Sequence, residues 1–313
     1  MTAPITRALT RLVNLPRRIL WGNWLTHIVI TRRCNLSCGY CNEFDKKSEP
    51  VPYEVVCEVI DKVASFGTFS LELTGGEALL HPRLIDILDY ARRVGIPRRR
   101  VITNGFLLTP DLIRSLNTVG LYQLSISVDG VNANEKTEKV LAQLEKRLTW
   151  LRTHAAFQVS LGTVLGSTDP VEVKRVLDCS RANGFKTHFN ILHDDGGQAL
   201  LSSEELEHYR QVVTEVHGLH YNFQGDYRWR LVNGLDASFR CRAGSRYLYV
   251  DEFQRVPWCS QTRFDVRSKS IFDYTWNDMR LQFHTPKPCH KTCTVGCARR
   301  VSRMDEWRSQ FHV

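Results

Sequence analysis

Between His27 and Leu192 the chain alternates between two periods, and this alternation limits the folds open to it. Six short β-branched or apolar runs occur at His27–Thr31, Ser70–Thr74, Arg100–Thr103, Gln123–Val128, Gln158–Val164 and Thr187–Leu192. Five stretches with helical spacing separate them, at Tyr53–Phe66, Pro82–Val94, Pro110–Asn117, Glu135–Thr153 and Pro170–Asn183. Such alternation builds βαβ units, whose crossovers make the sheet parallel. Pro82, Pro110 and Pro170 stand where first helical turns begin, and Thr109 and Asp169 precede two of them as N-caps. Gly67, Gly95, Gly120 and Gly184 stand near the helix ends, where a left-handed cap is needed. The expected fold is therefore α/β, a partial (β/α)6 TIM-like barrel.

In such sheets chemistry gathers at the carboxyl ends of the strands. A cysteine loop follows the first run, Gly75–Glu77 the second, Asn104–Gly105 the third, Asp129–Gly130 the fourth and His193–Asp195 the sixth. After about residue 216 the pattern is lost and the chain becomes rich in aromatics, Arg and Cys. Domain boundaries are expected at 1–24 (N-terminal extension), 25–216 (barrel) and 217–313 (a small Cys-rich appendage). Within the last, Tyr247–Asp251 and Arg255–Trp258 are expected to form a hairpin around Glu252–Gln254. The extension pairs Arg7, Arg11, Arg17 and Arg18 with Leu9, Leu12, Leu15 and Leu20, the spacing of a short amphipathic helix broken at Pro16. It is expected to cover the bottom of the fold, with membrane-surface contact the lesser reading.

The chain has ten cysteines in 313 residues. Disulfides in an oxidising compartment and metal ligands in a reducing one compete to explain them. The apolar stretch near the start is broken by arginines, so no export signal is read. Eight cysteines fall in two groups, which favours metal sites in a cytoplasmic protein; Cys57 and Cys179 read as buried, inert thiols. No stretch approaches a membrane span. The net charge of +9 carries no recognition motif, so a solvated basic surface is expected rather than a nucleic-acid partner.

Cys34-Asn-Leu-Ser-Cys38-Gly-Tyr-Cys41 places three thiols within eight residues. So tight a loop turns all three sulfurs toward one iron–sulfur cube and leaves one iron open to a small molecule. A structural zinc site would need a fourth ligand nearby; His27, inside an apolar run, reads instead as a packed core residue. This spacing, with Tyr40 before the last Cys, resembles the cluster loop of the radical S-adenosylmethionine (SAM) superfamily. Thr74-Gly75-Gly76-Glu77 resembles that family's glycine-rich methionine-binding turn, in which glycines admit close approach and a carboxylate accepts from the ligand's ammonium.

The resemblance covers roughly residues 25 to 200, and what it implies is specific. The open iron of a [4Fe-4S] cluster binds SAM, an electron splits the sulfonium, and a 5′-deoxyadenosyl radical abstracts a hydrogen atom from the substrate. Tyr40 is implied near the adenine, with Asn104 and Ser127 facing the methionyl or ribose part. Cys241, Cys259, Cys289, Cys293 and Cys297 resemble the auxiliary-cluster region of the SPASM and Twitch subgroups. Five are too few for a full SPASM pair, so one Twitch-like auxiliary [4Fe-4S] cluster is expected, with structural zinc or idle thiols as alternatives. The hairpin glycine of those relatives is here Gln254.

An oxidation, epimerisation or crosslink of a small-molecule or peptide substrate is the implied activity, with an electron donor such as flavodoxin or ferredoxin. The short extension leaves no room for a leader-recognition domain, which tilts the expectation toward a small molecule or a peptide brought by another protein. An RNA-modifying enzyme and a non-catalytic electron carrier are the other classes considered. Tyr227-Arg228-Trp229-Arg230 is the candidate stacking surface for the former. His193, Asp194 and Asp195 are candidate proton-handling groups, with a turn as the competing role.

Overall fold

β-Branched and apolar runs find strand partners wherever a helix can cover them, and here seven strands do so in parallel. The computed structural model describes residues 14–217, 226–265 and 268–310. In chain order these hold α1 (Leu15–Trp21), β1 (Leu25–Thr31), α2 (Tyr53–Ser65), β2 (Ser70–Gly75), α3 (Leu84–Val94), β3 (Arg98–Thr103), α4 (Pro110–Thr118), β4 (Gln123–Ser127) and α5 (Glu145–His154). There follow β5 (Gln158–Leu165), α6 (Pro170–Ala182), β6 (Lys186–Ile191), α7 (Ser203–His217), α8 (Tyr227–Val232), β7 (Tyr247–Val250), β8 (Arg255–Val256), β9 (Lys269–Ser270), α9 (Trp276–His284) and α10 (Gly296–Ser302). The sheet order is β6-β5-β4-β3-β2-β1-β7, a partial barrel of the α/β class. Ile28, Ile30, Leu71, Leu73, Val101, Leu124 and Ile126 point outward into one core with α2 to α5.

The N-caps expected of Thr109 and Asp169 are in place: their side chains accept from the backbone N–H of Leu112 and Glu172. Two local readings need correction. Glu135–Thr153 is not one helix. Helix α5 starts only at Glu145, and residues 134–140 form an irregular strap, because Asn134 folds it into a turn by accepting from Lys136 N (2.8 Å) and Thr137 N (2.9 Å). Pro16 stands in the first turn of α1; the reading of a helix broken there falls on residues 1–13 as well, which lie outside the described part.

The second correction concerns the hairpin. The chain does turn at Asp251–Arg255, with Gln254 at φ 59° in the left-handed region that favours glycine. Its flanks, however, pair elsewhere. β7 lies parallel to β1, with Tyr249 opposite His27, and β8 pairs antiparallel with β9. The Cys-rich region thus supplies a barrel strand. Helix α10 packs on β7 and brings Gly296 beside Asn190 of β6, closing the open side of the barrel.

Candidate functional site

The cysteine loop leaves the carboxyl end of β1 and folds into an apolar pocket. Cys34, Cys38 and Leu36 are buried there, with Cys41, Phe44 and Phe106 against them. Backbone donors point at the sulfurs: Leu36 N–H at Cys34 Sγ (3.4 Å) and Glu138 N–H at Cys38 Sγ (3.3 Å). Asn104 Nδ2 approaches Cys34 Sγ (3.9 Å) and donates to Asn35 Oδ1 (2.7 Å). All ten cysteines are free thiols. Burial pushes the Cys34 thiol up, opposed by the Leu36 N–H, so cation binding and proton release are coupled there. Three thiols in an apolar pocket, two of them facing amide donors, form a donor set suited to an iron–sulfur cluster. Among the described residues no three His, Cys, Asp or Glu side chains converge on a single ion position.

The strap after β4 clamps this loop from above. Gly39 lies so close to it that a β-carbon would stand 2.6 Å from Glu135 O. Tyr40 donates its hydroxyl to Asp129 Oδ2 (2.8 Å), and Thr137 Oγ1 donates to the same oxygen (2.7 Å). Lys139 Nζ donates to Tyr40 Oη (2.9 Å). Burial opposes the charge on Lys139, yet Tyr40, Asp129 and the Cys41 and Cys38 sulfurs together hold its pKa well above the usual lysine range. Lys139 is a residue that sequence reasoning missed, because the strap reads as a helix.

The glycine turn ends β2 directly against the cysteine loop. Gly75 sits at φ +145°, and a β-carbon there would lie 1.8 Å from Thr31 O; one at Gly76 would lie 2.3 Å from Arg32 O. The close approach that needs glycine is thus to the backbone entering the loop. The Glu77 carboxylate is held by three protein donors. Oε1 accepts from Leu79 N (2.8 Å) and Thr103 Oγ1 (2.7 Å), and Oε2 accepts from Asn104 N (2.7 Å). Its carboxylate is turned inward and fixes Asn104. Burial raises the Glu77 carboxyl, opposed by those donors. Ser127, half-buried, ends β4 at the same rim. Asp194 builds a turn, accepting from Gly196 N and Gln198 N, while Asp195 accepts from Asn42 Nδ2 (2.6 Å) beside the cysteine loop.

The five later cysteines divide. Cys241, Cys259, Cys289 and Cys293 act on one another electrostatically, and burial raises the thiols of Cys241, Cys259 and Cys293. Two buried cations face them. Burial lowers Lys287 to about 8 while Cys241 and Cys289 oppose the fall. Burial also lowers Arg299, with Cys293 and Cys241 opposing. Four sulfurs with two cations suit an anionic cluster. Cys297 instead interacts with Tyr247, Glu72 and Arg300. It faces the barrel lumen.

That lumen is polar. Tyr247 Oη lies 3.2 Å from His27 Nδ1, His27 Nε2 lies 2.5 Å from Glu72 Oε2, and Arg100 NH1 donates to Glu72 Oε1 (2.9 Å). Arg100 also donates to Gln123 Oε1 (2.8 Å). His27, Glu72, Arg100 and Gln123 share one register row across four strands. His27 is buried and packed, as expected, but its partners are polar. The usable signal is Leu71-Glu72-Leu73: a charge between two apolar residues in a parallel strand marks a lumen-facing position.

The family described as the radical SAM superfamily matches residues 28–193. An AdoMet-dependent heme synthase from Methanosarcina barkeri is 30% identical over 180 residues, covering 55% of this chain and 49% of that protein. The chain spans about half the length of the curated relatives it matches first. Among solved structures, Streptococcus suis SuiB bound to precursor peptide SuiA superposes with TM-score 0.65 at 12% identity, over 89% of this chain and 69% of that one. Native anSMEcpe with bound AdoMet gives 0.61 at 14% identity, over 86% and 88%. At these identities the structures speak to the fold.

Proposed function

The chain belongs to the radical SAM superfamily, and on that footing we propose that it abstracts a hydrogen atom from a small-molecule or peptide substrate to oxidise, epimerise or crosslink it. A [4Fe-4S] cluster and SAM are the cofactors of this class, whose members are enzymes. The observation that carries the reading is the gathering of Cys34, Cys38 and Cys41 in one apolar pocket, beside the Gly75–Gly76 turn, at the carboxyl ends of the strands. When bound, the cluster supplies the electron that splits the sulfonium of SAM, and the 5′-deoxyadenosyl radical takes the substrate hydrogen.

The chain's own residues do the rest. Amides of Leu36 and Glu138 hold negative charge on the sulfurs. Tyr40, Gly75, Gly76, Asn104 and Ser127 line the rim where SAM is placed, and Glu77 serves by locking Asn104. Phe44 and Phe106 keep water from the sulfurs. Cys241, Cys259, Cys289 and Cys293 are assigned to the auxiliary cluster, which accepts the electron left on the substrate. A peptide substrate has the support of the SuiB likeness, and a small molecule that of the heme synthase relatives.

Anaerobic reconstitution followed by product analysis tests this. The native chain is expected to form 5′-deoxyadenosine, and Cys38→Ala to lose that activity by about 10³-fold or more. Native material that binds zinc at the loop, or cleaves no SAM, overturns the reading. Iron counting tests the auxiliary assignment. Cys293→Ser is expected to lose the second cluster's iron, whereas Cys297→Ser retains it; loss with Cys297→Ser would make that thiol a ligand.

A further inference from the structure

At the amino ends of the strands, opposite the cysteine loop, the surface is apolar where a barrel bottom is ordinarily polar. Of thirteen large apolar residues exposed among the described part, seven lie at this pole. Helix α1 buries none of its residues. Leu15, Ile19 and Leu20 stand out from it, Ile19 at 65% exposure, and Trp24 follows where β1 begins. The C-terminal turns adjoin them: Arg308 donates to Leu20 O (2.7 Å), and Met304 and Trp307 (64% exposed) sit on the same segment. Leu281 of α9 completes the patch, since α9 packs on α1 and Arg280 lies over the Trp21 ring. Large apolar side chains exposed together on adjoining elements mark an interaction surface.

The charge around the patch selects the partner. In the described part of the N-terminal segment, residues 14–24, Arg17 and Arg18 occur with no acidic residue, and Arg18 is turned inward to donate to Ala64 O (3.0 Å). Arg17 and Arg280 are exposed on the rim. The acids there are already met: Asp305 pairs with Arg246 (2.8 Å) and Arg308 (3.2 Å), and Glu306 with Arg303 (3.5 Å). We propose that this pole docks on the surface of an anionic lipid bilayer, with Ile19, Leu281 and Trp307 entering the headgroup region and the arginines meeting lipid phosphates. Tryptophan and arginine flanking aliphatic side chains are what that interface favours. Among the described residues no helix is long and apolar enough to cross a membrane, so the contact is peripheral. It places the barrel mouth away from the lipid.

Sedimentation of the full-length, cluster-loaded chain with vesicles tests this. Vesicles containing phosphatidylglycerol are expected to bind about tenfold more protein than phosphatidylcholine alone, and added salt should reverse the difference. The double variant Ile19→Ser/Trp307→Ser should bind about tenfold less, corresponding to roughly 1.4 kcal/mol, while forming 5′-deoxyadenosine in solution at the native rate. Equal sedimentation with and without vesicles overturns the proposal. So does native-like binding by the double variant, or a native dimer in light scattering that the double variant turns into monomer, since the occupant is then a second copy of the chain.

Discussion

Gly75→Ala is expected to be the most damaging single-methyl substitution in the chain. The added carbon would stand 1.8 Å from Thr31 O, where only backbone movement gives relief, and φ +145° is a conformation that L side chains rarely adopt. Both costs fall on one residue, and Gly76 beside it is hemmed in by Arg32 O and Arg33 O. Strain and overpacking together place the loss at about 4 kcal/mol or more. The effect is also functional. Gly76 N–H donates to Thr31 O (2.9 Å) and Glu77 N–H to Arg33 O (2.9 Å), so the turn and the cysteine loop are stitched at the point where the chain enters Cys34. The variant should show a lowered midpoint in anaerobic thermal unfolding and less iron at the catalytic cluster. Gly184→Ala is the comparison, since that glycine has open space around its would-be carbon, so only its positive φ is tested. A Gly75→Ala protein as stable as that control, with full iron, would mean that the turn is not fixed by this contact.

The barrel strands and the cysteine loop were legible because their signals are local. A β-branched run between Gly and Pro residues reads as a strand from its own composition, and three cysteines in eight residues constrain their own geometry. What failed depended on distant partners. Residues 135–139 have helix-forming composition, yet Glu138 N–H is committed to Cys38 Sγ and Lys139 to Tyr40, and these contacts override propensity. The turn at Asp251 was visible, with Asp251 Oδ1 accepting from Phe253 N and Arg255 N. The choice of β1 as the partner of β7 was not visible, because parallel pairing across more than 200 residues leaves no short-range mark. The division of the late cysteines was equally hidden. Cys293 and Cys297 lie one turn apart in sequence, but the start of α10 sends one toward the other sulfurs and the other toward Tyr247.

Glu72 is the second position where a large effect is expected. Its carboxylate is almost fully buried and is held between His27 and Arg100. Burial alone would raise its pKa, but His27 and Arg100 overcome this and hold it at about 2, against 4.5 when exposed. A depressed carboxylate contributes stability that is fully present above about 4.5 and is lost as the pH falls toward 2. From that difference the contribution is of order 3 kcal/mol. Glu72→Ala at neutral pH is expected to cost about 3 kcal/mol, because the half-buried Arg100 loses its counter-ion. Glu72→Gln keeps the shape and removes the titration. The gap in unfolding midpoint between native protein and Glu72→Gln should therefore be wide at pH 7, shrink progressively below about pH 4.5 and close toward pH 2. Comparing the two proteins cancels whatever acid does to the clusters themselves. A gap that stays constant down to pH 3 would show that the carboxylate's charge does not hold the lumen row together, and that hydrogen bonding alone aligns His27, Glu72 and Arg100 across the sheet.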